Sequence, residues 1–147
     1  MTVLPGRVLA IDPGKVRIGL AVSDPGRTIA RGLTTLVSRG RSGDLDYLEA
    51  IVRDEEVTEI VVGRPANLDG TPGPMTAFAE KLAEDMRNRT GLPVRMWDES
   101  FTSAEAERTL IEADVSRARR RHGAVDKLAA VLLLQGYLDS EARQDST

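Results

Sequence analysis

The residues with the clearest chemical potential are carboxylates set at the ends of apolar runs. Asp12 closes the run 8–12, Asp98-Glu99 follow the run 94–97, and Asp126 lies at the start of the most apolar stretch, residues 125–138. Open α/β sheets place their sites at strand ends. Taken singly, each acid has an ordinary reading. Asp12 would be a turn residue, and Asp126 an acid that gains from the positive end of a helix dipole while losing hydration. Together they ask for something more, because carboxylates gathered in a partly buried cleft repel one another unless a cation neutralises them. Oxygen-only donors suit Mg²⁺ or Mn²⁺. One or two such ions activate an attacking water and offset charge on a departing phosphate oxygen, which is the chemistry of phosphodiester hydrolysis. Competing chemistries are few. The chain has no cysteine and a single histidine, His122, so thiol catalysis is excluded and a Ser-His-Asp triad would hang on one residue of a basic loop.

The elements that must position these groups follow from periodicity. Residues 8–12 and 18–23 are short β-branched and aliphatic runs separated by Pro13 and Gly14, which reads as strand, turn, strand. Asp24-Pro25-Gly26 is a second turn, and a third strand is predicted over 28–36, giving an antiparallel meander. Leu45, Leu48, Ile51 and Val52 then recur at helical spacing up to about residue 56, followed by a buried-type strand over 59–63. Residues 64–74 form a loop, with Pro74 suited to the first turn of a helix striped by Met75, Phe78, Ala79, Leu82, Ala83 and Met86 and capped by Gly91. A strand over 94–97 leads into Asp98-Glu99. Thr102 or Ser103 is an N-cap for a helix reaching about Ala113, and a largely buried helix covers 125–138, with a frayed tail from Ser140. The expected fold is a single α/β domain over 1–147: a mixed sheet, three antiparallel strands plus parallel ones, with helices on both faces.

At 147 residues the chain suits one domain with a self-standing core, and 41% hydrophobic residues with 29% charged lie outside the disordered range. The start of the chain is too short and wrongly flanked for a signal peptide, and no window approaches the ~18 apolar residues of a membrane span. A cytoplasmic protein without membrane contact is expected. The net charge of −3 does not advertise a polyanion partner, so any nucleic-acid footprint must be local. Arg117, Arg119, Arg120 and Arg121 form the densest cationic cluster and are the candidate phosphate contacts, the plain alternative being a solvated basic loop.

Several segments, in order, resemble the signatures of the YqgF family: residues 11–19 (IDPGKVRIG), 60–65 with Asn67-Leu68-Asp69-Gly70 and Gly73-Pro74, Trp97-Asp98-Glu99 with Thr102, residues 105–108, and residues 125–130 (VDKLAA). These are ribonuclease H-like bacterial proteins described as pre-16S rRNA nucleases and as Holliday junction resolvases. The resemblance implies a ribonuclease H-like fold and a metal site made of the first-strand Asp, the Glu after the late strand and the Asp of the last helix, here Asp12, Glu99 and Asp126. Two departures stand out. Val16 occupies a position where the family often has Lys, leaving Lys15 and Arg17 to contact phosphate, and Ser100-Phe101 replaces Arg-Leu. RNA is the favoured substrate and a four-way DNA junction the alternative, acted on by a monomer or a homodimer. A nucleotide-binding module is a weaker reading, since the Asp-x-Gly hairpin also resembles the phosphate loop of two-domain actin-like ATPases. A non-catalytic nucleic-acid-binding module is the third reading.

Overall fold

Apolar residues alternate along the first strand so that neighbours feed opposite layers, and this sets the architecture of the computed structural model, which describes residues 6–14, 16–65, 71–73, 75–98 and 124–145. Five strands, β1 (Arg7–Asp12), β2 (Arg17–Ser23), β3 (Ala30–Val37), β4 (Val57–Arg64) and β5 (Val94–Asp98), form one sheet in the order β3-β2-β1-β4-β5. β1, β2 and β3 are antiparallel, while β4 and β5 run parallel to β1. Leu9, Ile11, Ile18, Leu20, Ile60 and Val62 point to the face covered by α1 (Arg41–Asp54) and α2 (Thr76–Thr90). Val8, Ala10, Ala21 and Val61 point to the other face, where Ala130, Leu133, Leu134, Tyr137 and Leu138 of α3 (Ala124–Asp145) cover them. Each fully buried aliphatic side chain contributes about 1.5–3 kcal/mol. The meander, the parallel strands and the helices on both faces are those predicted from periodicity.

Differences at element ends have local causes. β3 begins at Ala30 rather than at residue 28, because the Asp24 carboxylate accepts hydrogen bonds from the Thr28 and Ile29 amides (2.7 and 2.8 Å), closing the loop before the ladder starts. These amides hold the Asp24 carboxyl below the ordinary carboxylate range. α2 ends as predicted at Gly91, whose φ of 72° is the left-handed conformation that favours glycine and whose amide reaches the Arg87 carbonyl. Near its start, the Thr76 hydroxyl donates to the Pro65 carbonyl and accepts from the Gly73 amide, drawing the two ends of the intervening loop together. The frayed tail expected from Ser140 is replaced by helix, since α3 runs to Asp145. The reason is tertiary, for Glu141 shares the Tyr137 hydroxyl and faces Arg27 at 3.9 Å. The predicted helix near 103–113 lies outside the described residues.

Candidate active site

Asp12 is the half-buried last residue of β1, and the strand register decides what surrounds it. It pairs with Gly19 on β2. Ile11 pairs with Val62, so Asp12 stands level with Gly63 on β4, which in turn pairs with Trp97 on β5. Alternation places Asp12 on the face of Val8 and Ala10, beneath α3, and places Gly19 and Gly63 on that face beside Ala21 and Val61. The carboxylate is therefore flanked within the sheet by two residues without side chains. Glycine inside a strand marks a place where another group comes close to the backbone. Gly14 closes the hairpin after Asp12, and a Cβ there would come within 2.3 Å of the Arg17 carbonyl oxygen. Arg17 opens β2, half-buried, on the same face as Gly19 and so diagonally across the hairpin from Asp12.

Two side chains fix α3 over this sheet. Gln135 accepts from the Ala30 amide (2.9 Å) and donates to the Thr28 carbonyl (3.0 Å), and Ala30 pairs with Ser23, whose hydroxyl accepts from the Val8 amide. Tyr137 donates to Glu59, which has only 6% of its surface exposed. Further along, Glu141 meets the Arg27 loop, so α3 descends against the direction of β1. Position 126 precedes Gln135 by about 13 Å of helix, and Asp12 lies about 13 Å of strand beyond Val8. The first turn of α3, which carries Asp126, therefore rises to the level of Asp12, and position 126 falls on the helical stripe of Ala130, Leu133, Leu134 and Tyr137. β5 ends at the same edge, with Asp98 paired to Arg64.

Of the residues singled out by sequence, then, the structure brings Asp12, Arg17 and the backbone of Asp126 to one edge of the sheet. Lys15, Glu99, Arg117, Arg119, Arg120 and Arg121 lie outside the described residues, as do Ser100-Phe101, Thr102 and His122, while Val16 is exposed at the hairpin tip. Among the described residues no group of three acids or histidines could hold a metal ion. No helix among them is long and apolar enough to cross a membrane.

Sequence reasoning missed the charged network at the opposite edge. Glu59 receives Arg27 (2.6 Å), Arg95 (3.0 Å) and the Tyr137 hydroxyl, while Arg27 also donates to the Gly6 carbonyl. These contacts offset the left-handed φ of 60° at Arg27. Burial first, and then the hydrogen bond and charge of Glu59, push the Tyr137 hydroxyl up, so it remains a donor. The spacing of Tyr137 and Glu141, and of Gln135 and Asp139, one helical turn apart, was the available signal. Trp97 packs edge-on against Tyr137 at 5.5 Å, and its buried indole nitrogen has no partner among the described residues.

Residues 6–140 match the family described as RuvX: Holliday junction resolvase. A protein of Thermoanaerobacter pseudethanolicus named "Putative pre-16S rRNA nuclease" is 43% identical over 136 residues, covering 92% of this chain and 97% of that protein. One of Koribacter versatilis with the same name is 46% identical over 134 residues, covering 91% and 87%. Among solved structures, T. thermophilus RuvC in complex with Holliday junction substrate superposes with a TM-score of 0.56 at 15% identity, covering 93% of this chain and 96% of that one. The fowlpox virus resolvase in complex with Holliday junction DNA gives 0.58 at 9% identity, covering 92% and 98%. At such identities the structural likeness speaks for the ribonuclease H-like fold alone.

Proposed function

Because this chain belongs to the RuvX family, we propose that it is a nuclease that hydrolyses phosphodiester bonds of a ribosomal RNA precursor, using Asp12, Glu99 and Asp126 to hold Mg²⁺ or Mn²⁺. The observation that carries this reading is the convergence of Asp12, the end of β5 and the first turn of α3 on one edge of the sheet. Oxygen donors of this kind fit a small hard cation, and glycines on both sides of Asp12 keep neighbouring side chains from crowding its approach. Such a cation, when bound, supplies charge for the phosphate oxygens and acidity for a water molecule.

The chain's own residues do the rest. The three carboxylates hold the ion, Arg17 and Lys15 receive a phosphate at the hairpin, and the first turn of α3 presents the positive end of its dipole to the polyanion. Arg117, Arg119, Arg120 and Arg121 extend that grip along the substrate. RNA is favoured over a four-way junction because cutting a junction symmetrically calls for a dimer with a broad basic surface on each subunit, and this chain carries a net charge of −3. The family description supports resolvase activity as the second reading. We place the protein in the cytoplasm, as a single domain acting as a monomer or a homodimer.

Cleavage of labelled precursor RNA and of a synthetic four-way junction, side by side in Mn²⁺ and with Asp12→Asn as control, tests this reading. Metal-dependent RNA cleavage by the wild type, absent in the variant, is expected. Paired symmetric nicks in the junction alone, made by a dimer, would replace it with the resolvase reading. Undiminished cleavage by Asp12→Asn would remove Asp12 from the site.

A further inference from the structure

A cavity of about 470 Å³ opens beside the β3 edge of the sheet, lined by Thr35, Leu36 and Val37 of β3, by Arg39, and by Gly43, Asp44 and Tyr47 of α1. Its size is that of a small-ligand site. Its lining combines an apolar wall with one exposed cation, Arg39, and one buried carboxylate, Asp44. Tyr47 is 42% exposed and Val37 is 53% exposed, in a chain with only five aromatic residues. Arg39 is exposed, and its guanidinium forms no ion pair among the described residues. Asp44 keeps its own charge but is buried and held away from solvent, one oxygen accepting from the Ser38 hydroxyl (2.6 Å) and the other from the Arg39 amide (3.0 Å), so the exposed charge at the cavity is that of Arg39. At Gly43 a side chain would meet nothing within 4 Å, so the cavity is open there.

The cavity adjoins the hairpin that carries the candidate active site. Val37 pairs with Arg17, and the Ser38 amide donates to the Val16 carbonyl, so the rim of the cavity is bonded to the hairpin tip. β3 lies two strands from β1, about 10 Å laterally. Tyr47 stands on α1, across the sheet from the face of Asp12, so a strand leaving Asp12 reaches it by passing over the hairpin tip.

From these observations we infer that this cavity is a subsite for single-stranded RNA, with an unpaired base stacked on Tyr47 and the adjoining phosphate on Arg39. The inference deepens the nuclease reading by naming the strand state the enzyme selects. A base still paired in a duplex cannot offer its face to Tyr47, so the subsite discriminates by strandedness rather than by sequence. An aromatic face beside an exposed guanidinium is the pairing that single-strand grooves use, and the positive charge suits RNA over a neutral or basic peptide.

Binding measured with metal chelated keeps this test separate from cleavage. Fluorescence anisotropy on a short labelled oligouridylate and on an RNA duplex of equal length would compare the full wild-type chain with Tyr47→Ala, Arg39→Gln and Gly43→Leu. The expected result is oligouridylate affinity about ten-fold weaker for Tyr47→Ala, with duplex affinity unchanged. Arg39→Gln should lower the salt dependence of binding by about 0.7 in slope. Gly43→Leu adds a bulky side chain at the open rim of the cavity, clashes with nothing there and improves helix propensity, so it should bind weakly while melting no lower than wild type. Wild-type oligouridylate affinity in both Tyr47→Ala and Gly43→Leu would overturn the subsite. So would a change of oligomeric state in Gly43→Leu with RNA binding intact, which would make the cavity a contact between two copies. Failure of the nuclease reading shows instead in the Asp12→Asn cleavage assay, which this measurement does not use.

Discussion

The two edges of the sheet surround their carboxylates, buried Glu59 and half-buried Asp12, in different ways. At the edge where β4 begins, Glu59 is surrounded by partners from the rest of the fold: Arg27 after β2, Arg95 on β5 and Tyr137 on α3. At the edge where β1 ends, the sheet positions beside Asp12 on its own face are Gly19 and Gly63, which bring no side chain. Side chains packed around a carboxylate tie it into the fold, whereas glycines beside it leave space on the sheet for a ligand to approach. The first choice gives stability. The second is the arrangement of the proposed site, and the comparison predicts that substitutions at the two edges will sort into different measurements.

The largest stability effect should come from Glu59→Ala. It strips a buried charge from Arg27 and leaves the Tyr137 hydroxyl with Glu141 alone, at a cost of about 3 kcal/mol, read as a lower midpoint in urea. Metal-dependent cleavage by the molecules that remain folded should match wild type. A loss of cleavage that exceeds the loss of folded protein would erase the distinction between the edges.

Tyr137→Phe removes one hydroxyl from the same network and should cost about 1–2 kcal/mol. It also sharpens the comparison through pH. The Tyr137 hydroxyl is pushed above its ordinary value of 10.0, so the fold holds the proton more tightly than the unfolded chain does. Its contribution is complete below pH 10 and declines as pH rises above it. Wild type should therefore lose stability above pH 10 more steeply than Tyr137→Phe, and parallel curves would show that this hydroxyl does not govern alkaline unfolding.

How much of this was legible in the sequence depended on where the deciding contact lay. The first two strands, the turn between them and the Gly91 cap were readable because apolar runs and turn chemistry are local. The start of β3 was not, because the Asp24 side chain competes for the Thr28 and Ile29 amides. Nor was the end of α3, since a polar C-terminal stretch reads as solvated until Glu141 is seen beside Tyr137 and Arg27. Asp12 stood out because acids at strand ends mark where open α/β sheets place their sites. Glu59 did not, since an acid opening the strand predicted over 59–63 looks like a surface residue until the Arg27 loop folds back on it. The Tyr47 cavity required β3 and α1 to be placed side by side.

The smallest effect on stability belongs to the hairpin. Arg17→Gln should leave the urea midpoint within about 0.5 kcal/mol of wild type. It should reduce the slope of log K against log salt for single-stranded RNA by about 0.7, one phosphate contact. An unchanged slope with a marked loss of stability would make Arg17 a structural residue of the β2 start.

The most direct test of the contrast is metal binding read through stability. A ligand that binds only the native state raises stability by about 2.7 kcal/mol at a hundredfold excess over its Kd, several degrees in Tm. Melting wild type and Asp12→Asn with and without Mn²⁺ should show that rise in wild type and none in Asp12→Asn, whose metal-free Tm should equal or exceed that of wild type. An equal Mn²⁺-induced rise in both proteins would place the ion elsewhere and contradict the account.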